Sequence, residues 1–217
     1  MERMTQAPKH ISENKAASAV RASVAFTPGA ATDLASEDNT PARPRKIVVL
    51  HWLTVLCLCF AAGLILLRDE VVSGRELKQW LLEGHRHFGL FVLTLFFIRV
   101  IVRMRAGRLP PVGHMSKAIR AVATLNHVAL YALLLAQPLL GWALSNAQDR
   151  PVHLFGLTLP TLVHADEDLA DSLQAWHVDV AWLLLALVLL HMGAALWHHF
   201  IVRDDTLRAM WPSRKRR

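Results

Sequence analysis

Cysteine is almost missing from this chain: Cys57 and Cys59 are the only two among 217 residues. Two positions apart on a helix, they point to nearly opposite faces. They can neither bridge one another nor share a metal, and they read as small apolar fillers. Also missing is the strict apolar–polar alternation of a membrane barrel strand. Residues 1–44 hold no sustained apolar periodicity, and Val20–Phe26 is too short and broken for a signal-peptide core. No internal repeat is visible. The long apolar runs lack midplane carboxylates, which counts against a carrier of metal cations. These absences leave a helical chain without a disulfide framework.

What is there is apolar length. Hydrophobic residues make up 53% of the sequence. Four runs, at about 47–67, 80–102, 121–144 and 174–201, each approach the roughly 20 residues a transmembrane helix needs. The reading is an all-α membrane protein, with residues 45–217 as a four-helix bundle and residues 1–44 as a disordered cytoplasmic tail. Pro138 falls inside the third run and is expected to kink it. The third loop, Ser145 to Gln174, carries the string Phe155–Pro160 and an acidic patch of Asp166, Glu167, Asp168 and Asp171.

The net charge of +7 invites a nucleic-acid reading, but its placement argues otherwise. Arg43, Arg45 and Lys46 precede the first run; Arg103, Arg105, Arg108, Lys117 and Arg120 lie between the second and third. Arg203, Arg208 and Arg214–Arg217 follow the fourth. In the other two loops, Arg68, Arg75 and Lys78 are offset by Asp69, Glu70 and Glu76, and Arg150 is alone. By the positive-inside rule both termini are cytoplasmic. The expected partner of this charge is anionic lipid, not nucleic acid.

Ionisable residues within spans are functional candidates by default, and the fourth run carries His177 and His191, fourteen residues apart. At about 100° and 1.5 Å per residue, both imidazoles share one face, roughly 21 Å apart along the axis. His51 opens the first run at the cytoplasmic end, and His85 opens the second at the opposite end. Depth therefore pairs His51 with His191 and His85 with His177. Two imidazoles at each level match the axial ligation of an electron-transferring b-type haem, so the expectation is two haems b. Each ligand needs an acceptor for its other ring nitrogen.

The remaining candidates follow from position. Gly89 lies one turn beyond His85 on the same face; it admits a flat macrocycle or, equally, serves helix–helix packing. His87 rivals His85 but faces about 200° around the helix. His198, seven residues beyond His191, is placed to bond a quinone head group, with an interfacial position as the competing reading. His127 shares a face with Tyr131, and either contacts a haem propionate or pairs with that tyrosine. Arg99 either snorkels or neutralises a propionate. A rival reading from another class is a divalent-metal carrier using His85-x-His87 and His198-His199, which leaves the fourteen-residue spacing unexplained.

Taken together, Leu50-His51-Trp52, His85-x-x-x-Gly89 with Arg99, and His127-x-x-x-Tyr131 through Pro138 and Gly141-Trp142 resemble the prokaryotic cytochrome b561 family. So do Phe155-Gly-Leu-Thr-Leu-Pro160, Trp176-His177, and His191 through His198-His199-Phe200 to Arg203-Asp204-Asp205-Thr206-Leu207. The similarity covers about residues 45–212. It implies a di-haem cytochrome of the bacterial inner membrane that exchanges electrons with ubiquinone as acceptor or donor, with His51, His85, His177 and His191 as axial ligands. Some members are proposed to oxidise superoxide; others anchor hydrogenase or dehydrogenase subunits, which makes a redox protein the alternative partner. Arg86-His87 stand where the family often has a Lys-Ser pair, which bears on the outer substrate site. There Arg75, Lys78 and Arg86 would attract an anion, while the acidic patch would oppose it.

Overall fold

The computed structural model describes residues 43–72, 74–107 and 116–211. The expected disordered tail falls almost wholly outside them, as do Arg108 and Arg214–Arg217. Four long helices dominate: α1 (Arg45–Glu70), α2 (Arg75–Arg105), α3 (Lys117–Ala147) and α4 (Glu167–Trp197). All four are long and apolar enough to cross a membrane, and the protein is a four-span helical membrane bundle. Each helix outruns its apolar core, because the turns that project beyond hydrocarbon keep their hydrogen bonds and carry polar side chains.

Helix ends follow local chemistry. Ser116 caps α3 by accepting from the Ile119 N–H, and Asp166 caps α4 by accepting from the Leu169 N–H. The acidic patch is therefore not loop, as the sequence suggested, but the cap and opening turns of α4. Carboxylates there meet the positive end of the helix dipole. Gly74 precedes α2 with φ +103°, a left-handed conformation open to glycine at little cost. Pro138 sits within α3, which continues through it to Ala147.

Between α3 and α4 the chain folds a two-stranded hairpin, β1 (His153–Leu154) against antiparallel β2 (Leu157–Thr158). Its two turn residues, Phe155 and Gly156, both have positive φ, the requirement of a tight type I′ turn. The buried Asn146 side chain accepts from the Leu162 N–H, and the Asp166 N–H donates to the Ala147 carbonyl. These bonds staple the connection to the end of α3.

Packing is closest within two antiparallel helix pairs, α1 on α2 and α3 on α4. Cys57, Val92 and Leu95 form the seam of the first, Ala147, Ala170 and Leu173 that of the second. Gly84 lets α2 approach α1: a Cβ there would stand 2.9 Å from Leu64 Cδ1. Cys57 is buried and Cys59 exposed, and neither is bonded. Outward-facing Leu66, Trp182 and Leu190 are exposed, as a lipid-facing surface requires. After α4 a π-helical turn (His198–Val202) and a 3-10 turn (Arg208–Met210) bring the chain back to α1, where the Trp52 Nε1–H donates to the Met210 carbonyl over 2.8 Å.

Candidate haem-binding centres

Two clusters of titratable side chains lie inside the bundle, at two depths. The near level is at the end where α1 begins and α4 ends; the far level is toward the opposite end.

At the near level, His51 of α1 faces His191 of α4, with ring centroids 6.3 Å apart. His127 of α3 packs its ring 5.1 Å from that of His191, and its Nδ1 meets the Ala123 carbonyl at 2.6 Å. Its partner is thus His191, not Tyr131. Arg99 of α2 brings Nη2 to 3.4 Å from His51 Nδ1 and lies 5.3 Å over the Tyr131 ring. Arg99 therefore turns inward instead of snorkelling, and its Nε is buried with no protein partner. All four helices contribute, and the level holds one fixed cation.

At the far level, His85 of α2 faces His177 of α4 with centroids 6.0 Å apart. The His85 Nδ1 meets the Ala61 carbonyl on α1 at 2.8 Å. A carbonyl only accepts, so that nitrogen carries the proton and Nε2 keeps its lone pair. His87 turns away, with its Nδ1 2.7 Å from the Glu83 carbonyl. Gln137 of α3 donates from Nε2 to the His177 ring Nε2 at 3.2 Å and to the His177 carbonyl at 3.1 Å. His177 Nδ1 and Gln137 Oε1 are buried without a partner. A Cβ on Gly89 would meet nothing within 4 Å, so no neighbouring helix leans on that glycine.

These residues fit two haems. A ligating imidazole nitrogen stands about 2 Å from its metal, so two rings facing across one ion have centroids roughly 6 Å apart. Both facing pairs meet that separation. Buried polar atoms without partners are rare in proteins and costly in lipid; of the seven such side-chain atoms among the described residues, Arg99 Nε, Gln137 Oε1 and His177 Nδ1 belong to these two levels.

The other candidates lie apart. His198 Nδ1 is 2.6 Å from Asp204 Oδ2. Burial raises the Asp204 pKa, but hydrogen bonds from Thr206 and His198 outweigh it and leave the carboxyl below its ordinary value. His199 packs on Phe200, so the His198-His199 and His85-x-His87 pairs do not converge as ligand sets. Among the described residues no three His, Cys, Asp or Glu side chains are grouped to hold a metal ion. Arg86 is paired with Glu83 at 2.6 Å. Sequence reasoning assigned no role to Gln137. The available signal was an amide inside an apolar span one turn before a glycine.

A family model described as prokaryotic cytochrome b561 matches residues 42–213. The chain is 32% identical over 166 residues to the probable superoxide oxidase CybB of Yersinia pestis, covering 76% of this chain and 93% of that one. It is 32% identical over 172 residues to cytochrome b561 homolog 1 of Escherichia coli K12, covering 77% and 96%. It is 33% identical over 176 residues to homolog 2 of the same organism, covering 79% and 93%.

Proposed function

The chain belongs to the prokaryotic cytochrome b561 family, and from that premise we propose that it passes electrons across the bacterial inner membrane between an outer donor and ubiquinone. The observation that carries this reading is the pair of opposed imidazole couples, 6.0 and 6.3 Å apart, on the shared rail of α4. His85 with His177 would hold one haem b, and His51 with His191 the other. When bound, each haem would supply a one-electron carrier.

The chain's own residues do the rest. Lys46, Arg103, Arg105, Lys117, Arg120 and Arg203 lie at the near end, which the positive-inside rule assigns to the cytoplasm, together with both termini. Arg99 would neutralise propionate charge at the near level, and His127 would contact a propionate. Gly89 leaves the far-level macrocycle room against α2. His198, oriented by Asp204, hydrogen-bonds the quinone and hands it a proton at the cytoplasmic surface. Arg75 and Lys78 steer an anionic donor toward the far level.

The Yersinia pestis relative is named a probable superoxide oxidase, and we carry that donor over to this chain. The reaction balances as two superoxide anions losing one electron each to leave dioxygen, while one ubiquinone gains two electrons and two protons. Purified protein with ubiquinone should consume superoxide and form quinol in that two-to-one ratio. If superoxide is not consumed but quinol still reduces the protein, that outcome overturns the donor assignment. It would make the chain a quinol-linked cytochrome serving a hydrogenase or dehydrogenase partner.

A further inference from the structure

We propose that Trp52 is a positioning residue for His198, because it anchors the turn whose Asp204 carboxylate holds that imidazole. The inference rests on the quinone role given to His198 above. α1 and α4 face one another across the near level without packing closely, and the chain after α4 spans the gap. It leaves through the π-helical turn that starts at His198. Arg203 then reverses its direction with φ +57°, uncommon for a residue with a side chain.

The returning segment is braced along its length. The Asp204 N–H donates to the His198 carbonyl at 3.1 Å. The Asp204 carboxylate accepts from the His198 ring at 2.6 Å and from the Thr206 N–H at 2.9 Å. The Asp205 carbonyl accepts from the Ala209 N–H at 2.8 Å, and the Leu207 carbonyl from the Met210 N–H at 3.0 Å. Ala209 is buried. The last residues of this braced piece are pinned to α1. There the Trp52 Nε1–H donates to the Met210 carbonyl over 2.8 Å, and the Trp52 and Trp211 rings meet edge to face, 6.2 Å apart.

A carboxylate only accepts, so the His198 Nδ1 carries a proton and Nε2 is the nitrogen left for the quinone. On its other side Trp52 neighbours the His51 ring, 5.6 Å between centroids. One indole thus adjoins a near-level imidazole and holds the turn that orients His198. Without its N–H the Met210 carbonyl turns to water and the segment lifts from α1. Asp204 then leaves the His198 ring, which loses its orientation.

The full chain is purified in detergent, and haem reduction by a water-soluble, short-chain ubiquinol is followed by stopped flow. This runs the quinone site in reverse and needs no outer donor. Trp52→Phe keeps a ring against Trp211 and removes only the donor. It should slow reduction about fivefold, the scale of one lost hydrogen bond, and Asp204→Asn should do the same. Added to His198→Ala, Trp52→Phe should slow it no further, because effects that run through one shared group are not additive. Amide exchange of residues 204–211 should quicken in Trp52→Phe, with exchange in α1 and both haem potentials unchanged. The lipid-facing control Trp182→Phe should match wild type throughout. If Trp52→Phe fails to hold haem, Trp211→Ala, which leaves α1 intact, is read by the same criteria. Additive slowing in the double variant, a shifted haem potential, an unchanged rate or unchanged exchange each overturns the proposal. Wild-type haem that ubiquinol does not reduce overturns the quinone reading itself, and this inference with it.

Discussion

His85 and His87 carry the same side chain two positions apart, yet helical rotation sends the first across to His177 and the second back to its own helix at the Glu83 carbonyl. If this geometry governs ligation, His85→Ala halves the haem content per chain and His87→Ala leaves it unchanged; haem quantification of the purified variants reads both. The four facing histidines were reachable from sequence for a physical reason. Ionisable groups are rare in spans, and helical rise turns residue number into depth. Arg99 and His127 were reachable as candidates, but their partners were not. That Arg99 lies over Tyr131 and that His127 packs on His191 depends on how α2 and α3 are rotated within the bundle. Gln137 was illegible for the same reason, since its worth comes from the ring that another helix places beside it.

At the scale of elements, the helices themselves were legible and their ends less so. Hydropathy locates the apolar core of a span, whereas caps decide where the helix starts. Asp166 is the instructive case, because its carboxylate joins the acidic run of residues 166–171 to α4 where the hydropathy signal is absent. Asp166→Ala should cost about 1 kcal/mol, seen as a lower midpoint for thermal loss of helicity in detergent, with the haem spectrum retained. The hairpin at Phe155-Gly156 was likewise visible only as a string of residues, since its two positive φ angles are properties of the turn. The turn after α4 adds a pH dependence. The Asp204 carboxyl titrates below its ordinary value, so its contribution is present above the unfolded pKa, about 3.9, and is lost as pH falls through the folded value. Wild type should therefore exceed Asp204→Asn in thermal midpoint at neutral pH, and the margin should close under strongly acidic conditions. A margin that persisted undiminished under strongly acidic conditions would contradict the hydrogen-bonded carboxylate.

Across the whole molecule, four spans hold two levels of facing imidazoles, and each level draws side chains from all four helices. Span number, helical class and family membership were legible in composition and motif because lipid imposes length and internal hydrogen bonding on every crossing segment. Depth pairing was legible because α4 carries one histidine of each facing pair. Less legible was the asymmetry between levels. The near one is built beside a fixed cation; the far one is built from neutral groups, the Ala61 carbonyl facing His85 and the Gln137 amide donating to His177. That asymmetry matters only if both levels hold haem. The most direct test is a reduced-minus-oxidised absorption spectrum with haem quantification on the purified wild-type chain. The account predicts b-type bands and two haems per polypeptide; a protein with no Soret band, or with a single haem, would contradict it.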